Sequence, residues 1–445
     1  MKQVRIGLAG FGTVGSAVYR HIKQEASSLF ERCGIHLVVT AVAVRNPRSS
    51  RRKGMRLPKS LLLPKVEQIA TGNQTDLVVE VMGGCGAARN LILSALRAGK
   101  PVITANKALL AEHGREIFEE SNRKGVPIYF EASVGGGIPI IKSLQEGLVA
   151  NRFSLIYGIV NGTCNYILSR MSQEGIGFDA VLKQAKALGY VEADASFDID
   201  GIDAAHKATI LASLAYGGCV DFRRVYVESI RHVSAEDVQF AHQLGYEIKL
   251  LAIIRSLGKE RVEVRVHPTL IPKSNRLAAI HGVTNAIVVR GHVVGDIEFS
   301  GPGAGGDATA SAILSDIVQA ASFLHSSSSI LHPSSFIPHP FFSNWLCTRG
   351  PYVIDINEVI SCYYLRLSVT DRPGVIAQIS SILGKAKIGI SSMIQPEGHE
   401  GKTVPLIFMI HNARHDMMQK SVKQIHRLQC VKTKPVMLHV ETFTS

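Results

Sequence analysis

The chain has 445 residues, of which 46% are apolar and 19% charged, a composition typical of a folded enzyme with two or three domains. Its formal charge is +13, but lysine and arginine are spread along the chain without a nucleic-acid-binding motif, so we expect no nucleic-acid partner. We also expect no membrane partner, because no run of about eighteen apolar residues and no signal peptide is recognisable. Seven cysteines without C-x-x-C spacing predict reduced thiols in a cytoplasmic protein, without disulfides or a zinc site.

The first motif is a glycine-rich turn that follows an apolar run at residues 4–9. The turn reads G-F-G-T-V-G, and helical spacing continues from residue 16 to residue 29. In this context Gly10 allows a tight turn, Gly12 lets backbone N–H groups approach a pyrophosphate, and Gly15 lets helix and strand pack closely. A dinucleotide-binding site is therefore predicted at Gly10, Phe11, Gly12, Thr13, Val14 and Gly15.

A second predicted strand, residues 36–44, ends at Arg45. An NAD-binding site usually offers an acidic residue here for the ribose 2′-hydroxyl. A guanidinium matches a 2′-phosphate instead, so NADP(H) is predicted in preference to NAD(H). More basic residues follow, namely Arg48, Arg51, Arg52 and Lys53. The alternative interpretation is a basic surface loop without a ligand.

Strands and helices continue to alternate, which predicts a doubly wound parallel sheet and an α/β fold. Residues 75–84 and 101–107 read as buried strands, each followed by a helix, and residues 126–133 as the last strand of this lobe. Ligands of such sheets bind beyond the carboxyl ends of the strands. We therefore expect Lys107 near the nicotinamide.

A second lobe begins near residue 150 and is predicted to be a mixed sheet with helices. Its predicted strands are 154–160, 225–231, 247–257, 261–268 and 284–299, and its predicted helices are 163–173, 178–188 and 203–217. A glycine-rich stretch at 301–306 precedes helix 308–324, which we expect to pack back on the first lobe. The glycines predict either close approach to the cofactor or a flexible hinge.

An acidic stretch at residues 189–207 reads G-Y-V-E-A-D-A-S-F-D-I-D-G-I-D-A-A-H-K. It contains five carboxylates, and its last residue is a lysine at the start of an apolar helix. Asp203 and Lys207 stand four positions apart and so share one face of that helix. This arrangement suits a small substrate that carries an amine. The alternative is a solvated turn with an ordinary pair of opposite charges.

The C-terminal part begins with residues 325–350, which break every periodicity and read as a linker. The remaining 85 or so residues show the order β-α-β-β-α-β, which predicts a small ferredoxin-like module. Its first turn contains Asp371, Arg372 and Gly374.

Several long motifs together resemble homoserine dehydrogenase, over residues 1–324 and in the order found in that family. They are G-F-G-T-V-G, A-N-K-A-L-L-A, E-A-S-V-G-G-G-I-P-I-I, I-V-N-G-T-C-N-Y-I-L, the acidic stretch, and G-P-G-A-G-G-D-A-T-A-S-A-I-L-S-D-I. The last module, with V-T-D-R-P-G-V-I-A-Q-I, resembles the ACT domain that many family members carry. Cys164 departs from the family pattern, in which we expect threonine.

The resemblance implies four regions along the chain. They are an NADP-binding Rossmann domain at 1–135, an α+β catalytic and dimerisation domain at 136–324, a linker at 325–355, and a ferredoxin-like ACT domain at 356–445. It also implies a homodimer and the NAD(P)H-dependent interconversion of L-aspartate 4-semialdehyde and L-homoserine, on the route to threonine and methionine.

The same resemblance implies roles for individual residues. Lys207 is the expected proton donor, Asp203 orients it, and Lys107 is the second lysine of the active site. The expected substrate-binding residues are Glu192, Asp203, Tyr190 and Asp198, and further cofactor contacts are expected from Lys107, Gly189 and Gly303.

Two further sites are implied in the same way. Glu131 and the carbonyls of Val134, Gly136 and Ile138 are expected to bind a monovalent cation, usually Na⁺, and oxygen ligands suit such an ion. The turn of Asp371, Arg372 and Gly374 is expected to bind an amino-acid effector, with threonine as the first candidate. Alternatively, the ACT domain only supports self-association.

Two other functions remain open from the sequence. An aldehyde-oxidising dehydrogenase would need a cysteine thiolate, for which Cys164 and Cys85 are the candidates. A non-catalytic sensor of NADP and amino acids would need no lysine pair, so Lys107 and Lys207 argue against it.

Overall fold

The structure of the protein is a computed structural model that describes residues 3–45, 51–52, 55–187, 195–326, 350–396 and 401–443; of residues 51, 52, 55, 56 and 326 only the backbone is described. The chain forms two compact units, each assembled from three segments. Unit 1 contains Met1–Ile156, His206–Arg223 and Asn285–Tyr352. Unit 2 contains Tyr157–Ala205, Arg224–Thr284 and Val353–Ser445.

The strands, in chain order, are β1 (Gln3–Ala9), β2 (His36–Ala43), β3 (Arg51–Arg52), β4 (Met55–Arg56), β5 (Leu62–Leu63), β6 (Leu77–Glu80), β7 (Val102–Thr104), β8 (Ile128–Tyr129), β9 (Phe153–Ile159), β10 (Tyr226–Val227), β11 (Tyr246–Ser256), β12 (Arg261–Pro272), β13 (Thr284–Gly291), β14 (Gly295–Pro302), β15 (Tyr352–Val353), β16 (Ile360–Thr370), β17 (Ile390–Ile394), β18 (Thr403–Arg414) and β19 (Val436–Val440).

The α-helices are α1 (Thr13–Gln24), α2 (Ala26–Cys33), α3 (Glu67–Thr71), α4 (Gly86–Arg97), α5 (Lys107–Lys124), α6 (Ile140–Lys142), α7 (Gly162–Glu174), α8 (Phe178–Ala187), α9 (Ser196–Ile199), α10 (Ile202–Tyr216), α11 (Ala235–Gln243), α12 (Gly306–Ser326), α13 (Val375–Lys385) and α14 (His415–His426). None of these described helices is both long and apolar enough to span a bilayer.

Unit 1 is built on a sheet of six strands in the order β5-β2-β1-β6-β7-β8, and every pair in it is parallel. Side chains alternate between its two faces: Leu77 and Val79 belong to one apolar cluster and Val78 to another. Helix α12 packs on α1 and adds Ile313 and Ile317 to the first cluster. The predicted doubly wound parallel sheet is confirmed.

Unit 2 contains a run of strands in the order β11-β12-β19-β16-β18-β17. Strands β11 and β12 are antiparallel, whereas β10 pairs in parallel with β12, so the predicted mixed sheet is confirmed. The last four strands and helices α13 and α14 follow the predicted β-α-β-β-α-β order of a ferredoxin-like module. Parallel pairing of β12 with β19 joins this module to the preceding sheet.

Some predicted elements are wrong in detail. Residues 284–299 form two strands and not one, because the chain turns after β13 and Gly295 adopts φ +75°. The helix predicted from 16 to 29 is interrupted at Glu25, which leaves helical geometry (ψ 8°). Helix α11 was not predicted, although Ser234 and Asp237 form a capping box at its start.

Four predicted strands are much shorter than expected. Of residues 75–84 only Leu77–Glu80 is a strand, and of residues 101–107 only Val102–Thr104. Of residues 126–133 only Ile128–Tyr129 is a strand, and Glu131–Ser133 is a 3₁₀ turn. Of residues 225–231 only Tyr226–Val227 pairs with a neighbour. Most of the predicted linker, residues 327–349, lies outside the described residues. Among the described residues, six cysteines are free thiols.

A buried ion pair fixes the junction of β12 and β19 in unit 2. The side chain of Arg265 in β12 is 1% exposed and donates to Glu441, which follows β19. Burial alone would raise the pKa of Glu441, but Arg265 and Arg255 outweigh burial and hold this pKa below its usual value. The junction therefore depends on an ionised carboxylate.

Replacing Glu441 by glutamine should lower the free energy of unfolding by about 3 kcal/mol, because it leaves a buried guanidinium without its main counter-charge. This loss is at the lower end of the range for broken buried ion pairs, because the Glu263 carboxylate remains 3.4 Å from Arg265 Nε. Urea denaturation measures the loss.

The matched control is Glu358→Gln, which removes an ion pair with Arg261 whose side chains are 48% and 41% exposed. Its cost should stay below about 1 kcal/mol. Equal losses in the two variants would contradict the role given to the buried pair.

Candidate active site

The glycine turn of unit 1 has the geometry that its motif requires. Gly10 adopts φ +104°, and a Cβ added there would lie 2.6 Å from the carbonyl oxygen of Val81. A Cβ on Gly15 would lie 2.2 Å from the carbonyl oxygen of Gly10. At Gly12, in contrast, an added Cβ meets no atom of the described residues within 4 Å. The space beside Gly12, at the N-terminus of α1, is therefore open for a ligand, and a helix N-terminus favours an anionic one.

A second glycine-rich loop packs against this turn. A Cβ on Gly306 would lie 3.2 Å from the carbonyl oxygen of Thr13, so the loop before α12 contacts the start of α1. Gly303 is confined more tightly, because an added Cβ would lie 2.0 Å from Asn285 Nδ2. Asn285 is 1% exposed, and neither polar atom of its side chain has a hydrogen-bond partner among the described residues. No motif in the sequence pointed to Asn285.

A buried network holds the start of α5 at the carboxyl edge of the sheet. Glu80, the last residue of β6, accepts hydrogen bonds from the Met82 backbone N–H (2.8 Å) and the Thr104 hydroxyl (2.6 Å). Asn106 caps α5 by accepting from Leu109 N–H and donates to the carbonyl of Gly84 (2.7 Å). Lys107, the first residue of α5, is therefore placed at the edge predicted for it.

Helix α10 carries two of the predicted catalytic residues. Asp203 and Lys207 lie in its first two turns, and they are 4% and 8% exposed. A lysine this buried is uncommon and usually has a partner. The neighbouring residue, His206, has Nε2 3.4 Å from Glu112 Oε1, so α10 and α5 are linked within unit 1. No pattern in the sequence predicted this link between residues 94 positions apart.

A cavity of about 710 Å³ lies between these two helices. Its lining includes Leu110, Glu112 and His113 of α5 and Ile210 and Leu214 of α10. Within the described part of unit 1, neither Lys107 nor Lys207 lines it. The cavity lies farther along the helices than the expected reacting groups.

In unit 2 the structure brings two predicted acids together through an asparagine. Asn161 Nδ2 donates to Asp198 Oδ1 and to Asp203 Oδ2, both at 2.8 Å. The Asn161 side-chain oxygen also accepts from the backbone N–H of Cys164 and so caps α7. The N-G-T-C-N-Y motif contains this N-cap, but the contact with the acids has no signal in the sequence.

The predicted ligands Gly189, Tyr190 and Glu192 lie outside the described residues.

The remaining cofactor prediction concerns the end of β2. Arg45 follows this strand and is exposed at the carboxyl edge of the sheet, next to β1 and its glycine turn. The side chains of Arg48, Arg51, Arg52 and Lys53 lie outside the described residues. The role of Arg45 in cofactor preference stays a prediction.

Glu131 lies at a buried turn of unit 1 with a second carboxylate beside it. It is 2% exposed and accepts hydrogen bonds from the backbone N–H groups of Ile141 (2.9 Å) and Lys142 (2.8 Å). Its own N–H donates to Asp316, whose carboxylate is 3.2 Å from Lys142 Nζ. Burial, with the nearby Asp316 charge, raises the pKa of Glu131 to about 7, and burial raises the pKa of Asp316 to about 6.

The turn after Glu131 requires glycine. Gly135 and Gly136 adopt φ +73° and +59°, and a Cβ on Gly136 would lie 2.6 Å from the backbone of Gly303. The predicted cation ligands Val134, Gly136 and Ile138 belong to this turn. If both buried acids are ionised, the one lysine leaves negative charge unbalanced here, and the site is compatible with a cation bound by oxygen atoms.

Known proteins match the chain over its full length. A family model described as "Homoserine dehydrogenase" matches residues 139–318, and "Homoserine dehydrogenase, NAD binding domain" matches residues 10–131. The homoserine dehydrogenase of Pseudomonas aeruginosa is 40% identical over 442 residues, and the match covers 99% of each chain. The chain belongs to the homoserine dehydrogenase family.

Solved structures agree. The crystal structure of a homoserine dehydrogenase from Thiobacillus denitrificans is 40% identical, with a TM-score of 0.91 and coverage of 99% of both chains. A hyperthermophilic archaeal homoserine dehydrogenase in complex with NADPH is 28% identical, with a TM-score of 0.62, and covers 72% of this chain and 98% of its own. Like its family, the chain is an NAD(P)-dependent oxidoreductase.

The C-terminal module of the chain matches the ACT domain family at residues 363–430. Its first turn lines a cavity of about 390 Å³ that includes the predicted residues Asp371, Arg372 and Gly374. The Asp371 carboxylate accepts a hydrogen bond from Gln395 Nε2 (3.1 Å), and the backbone carbonyl of Asp371 accepts one from Gly401 N–H. Gly374 adopts φ +88° at the N-terminus of α13, a conformation that favours glycine.

The cysteine-dependent alternative does not fit the two candidate thiols, Cys85 and Cys164. Burial, together with the Glu112 carboxylate, raises the pKa of the Cys85 thiol, whereas a nucleophilic cysteine needs a lowered pKa. Cys164 is fully buried and its thiol donates to the carbonyl of Asp198 (3.2 Å). Family membership likewise excludes a non-catalytic sensor.

Replacing Gly12 by alanine should leave the fold intact and weaken NADPH binding, because the added methyl group meets no protein atom but occupies the ligand space. We expect at least a tenfold rise in Kd by fluorescence titration and a change in melting temperature of less than about 2 °C.

Gly15→Ala is the matched comparison. Its methyl group would collide with the Gly10 carbonyl, so this variant should lose stability as well as binding. If Gly12→Ala bound NADPH as the wild type does, the pyrophosphate would not lie on this turn.

Proposed function

We propose that the enzyme reversibly reduces L-aspartate 4-semialdehyde to L-homoserine, on the route to threonine and methionine, with Lys207 as the general acid and base. The observation that carries this proposal is the buried lysine at the start of α10, one turn after the buried Asp203. An ammonium held away from water can protonate a carbonyl oxygen while hydride adds to its carbon. Family membership supports the substrate class.

In this mechanism NADPH, when bound on the glycine turn, supplies hydride to C4 of the aldehyde. The ammonium of Lys207 donates its proton to the carbonyl oxygen as negative charge develops there. In the reverse direction the neutral amine removes the hydroxyl proton. Asp203 orients Lys207, because it stands four positions earlier on the same helix.

The other predicted residues would bind and polarise the substrate. Lys107 adds positive potential beside the carbonyl oxygen, from a position fixed by the Glu80 and Asn106 network. Glu192, with Tyr190 and Asp198, would receive the α-ammonium group of the substrate and so select an amino-acid aldehyde. The Asn161 side chain supports this part by holding Asp198 and Asp203 in one hydrogen-bonded group.

We also propose that NADP(H) is preferred over NAD(H). Arg45 supports this preference, because it offers a guanidinium at the end of β2, where a 2′-phosphate would lie. Gly189 and Gly303 would approach the cofactor with their backbones. The related archaeal enzyme was solved with NADPH, which is compatible with this assignment.

Three further assignments remain proposals. The turn that begins at Glu131 would bind Na⁺ through this carboxylate and the carbonyls of Val134, Gly136 and Ile138, where the ion balances buried negative charge and stiffens the turn.

The cavity at Asp371 would bind an amino acid, with threonine as the first candidate, since the carboxylate there can receive an ammonium group. We expect a homodimer, which sedimentation measures.

Replacing Lys207 by alanine should lower kcat by about 10²- to 10⁴-fold, because the proton donor is lost. The Kd for NADPH should stay within about twofold of the wild type, since the glycine turn is unchanged. The assay follows NADPH oxidation with aspartate semialdehyde, and binding is titrated separately.

Lys124→Ala is the matched control, because Lys124 is an exposed lysine at the end of α5 and should leave turnover unchanged. Turnover of Lys207→Ala within tenfold of the wild type would reject the assignment.

The same assay with NADH tests the role of Arg45, and added threonine tests the effector site.

Na⁺ should raise the melting temperature of the wild type by a few degrees relative to choline at equal ionic strength, because it binds the folded state only. Glu131→Gln should abolish this difference, since it removes the charged ligand. Glu146→Gln, in the turn after α6 and outside the proposed ligand set, is the control and should keep it. A Na⁺ effect that persists in Glu131→Gln would place the ion elsewhere.

A further inference from the structure

Three side chains with metal-binding donor atoms meet in unit 1. Cys85 lies directly before α4, and Glu112 and His113 are consecutive residues of α5. A thiol sulfur, a carboxylate oxygen and an imidazole nitrogen from these residues all lie within 4.8 Å of one another. The Cys85 sulfur is 3.9 Å from Glu112 Oε2.

These separations are close to those of a zinc site. Zn–S bonds are about 2.3 Å long and Zn–N and Zn–O bonds about 2.0 Å, so tetrahedral donors stand roughly 3.3 to 3.8 Å apart. Donors that lie within 4.8 Å of one another therefore need to approach by about 1.5 Å at most. The Glu112 side chain is 42% exposed and has room to make this adjustment.

The surroundings orient the carboxylate and leave it accessible. Glu112 Oε1 is 3.4 Å from Nε2 of His206, which is 2% exposed and packs on the ring of Phe222. Metal ligands are commonly held by such an outer partner. Glu112 and His113 also line the cavity of about 710 Å³, through which an ion can reach them.

We propose that Cys85, Glu112 and His113 bind one divalent transition-metal ion of the Zn²⁺ class, with water completing the coordination. Sulfur and imidazole favour Zn²⁺ or Co²⁺ over Mg²⁺ or Ca²⁺. The ion would cross-link the loop before α4 to the middle of α5. C-x-x-C spacing is absent, so the sequence predicted no zinc site; the fold unites donors 27 positions apart.

Co²⁺ is the spectroscopic probe. The full-length protein, freed of metal with a chelator and kept reduced with a phosphine, should bind one Co²⁺ per chain. Binding should produce a sulfur-to-cobalt charge-transfer band and the visible absorption of a tetrahedral ion, and Zn²⁺ should displace it. Zn²⁺ should also raise the melting temperature by a few degrees, whereas Mg²⁺ should not.

The variants separate this site from adventitious binding. Cys85→Ser should lose the charge-transfer band, whereas Glu112→Gln and His113→Gln should keep it but raise the Kd for Co²⁺ at least tenfold. The controls Cys33→Ser, which removes an exposed thiol of α2, and Cys219→Ser, which removes a thiol of the same cavity, should bind as the wild type does.

Two results would overturn the proposal. One is a band that survives in Cys85→Ser or disappears in a cysteine control. The other is weak binding of several Co²⁺ ions without a charge-transfer band, which would show adventitious binding only. Thermal denaturation in the presence of chelator checks that each variant is folded, and Glu112→Gln tests the site with all thiols intact.

Discussion

The buried carboxylate of Glu80 fixes the edge of the parallel sheet on which the proposed chemistry depends. It receives hydrogen bonds from Met82 and Thr104, while Asn106, at the start of α5, donates to the carbonyl of Gly84 after β6. Burial raises the pKa of Glu80, and these hydrogen bonds act in the opposite direction by stabilising the carboxylate. Both Cys85 and Lys107 are attached to this network, so the thiol and the lysine have defined positions.

Close backbone contacts complete the carboxyl edge of the sheet, where the cofactor is proposed to bind. Gly136 meets the backbone of Gly303, and the loop before α12 touches the start of α1, although these segments are more than a hundred positions apart in the chain. Side chains at these glycines would push the segments apart. The glycine-rich motifs that characterise the family therefore reflect one requirement, which is that three loops approach each other without intervening side chains.

In unit 2 the ACT module is continuous with the sheet beside it, since β19 pairs with β12. The junction buries Arg265 against Glu441 and places the rings of His267 and His439 4.2 Å apart. Burial lowers the pKa of both histidines well below the usual value, and neighbouring positive charge lowers it further, so both rings are neutral. A ligand at the ACT turn would thus act on a module that belongs to a larger sheet.

The sequence by itself determined the doubly wound sheet, the glycine turn and the ferredoxin-like module, because turns and amphipathic periods are encoded in local spacing. The family followed from several long motifs that resemble those of its members. It also located Lys107 and Lys207 at helix starts. Only the tertiary structure decided that Asn161 joins Asp198 to Asp203, that Arg265 meets Glu441, and that Glu112 lies between His206 and Cys85. These contacts join residues tens of positions apart, and polar pairs at such distances leave no periodic signal along the chain.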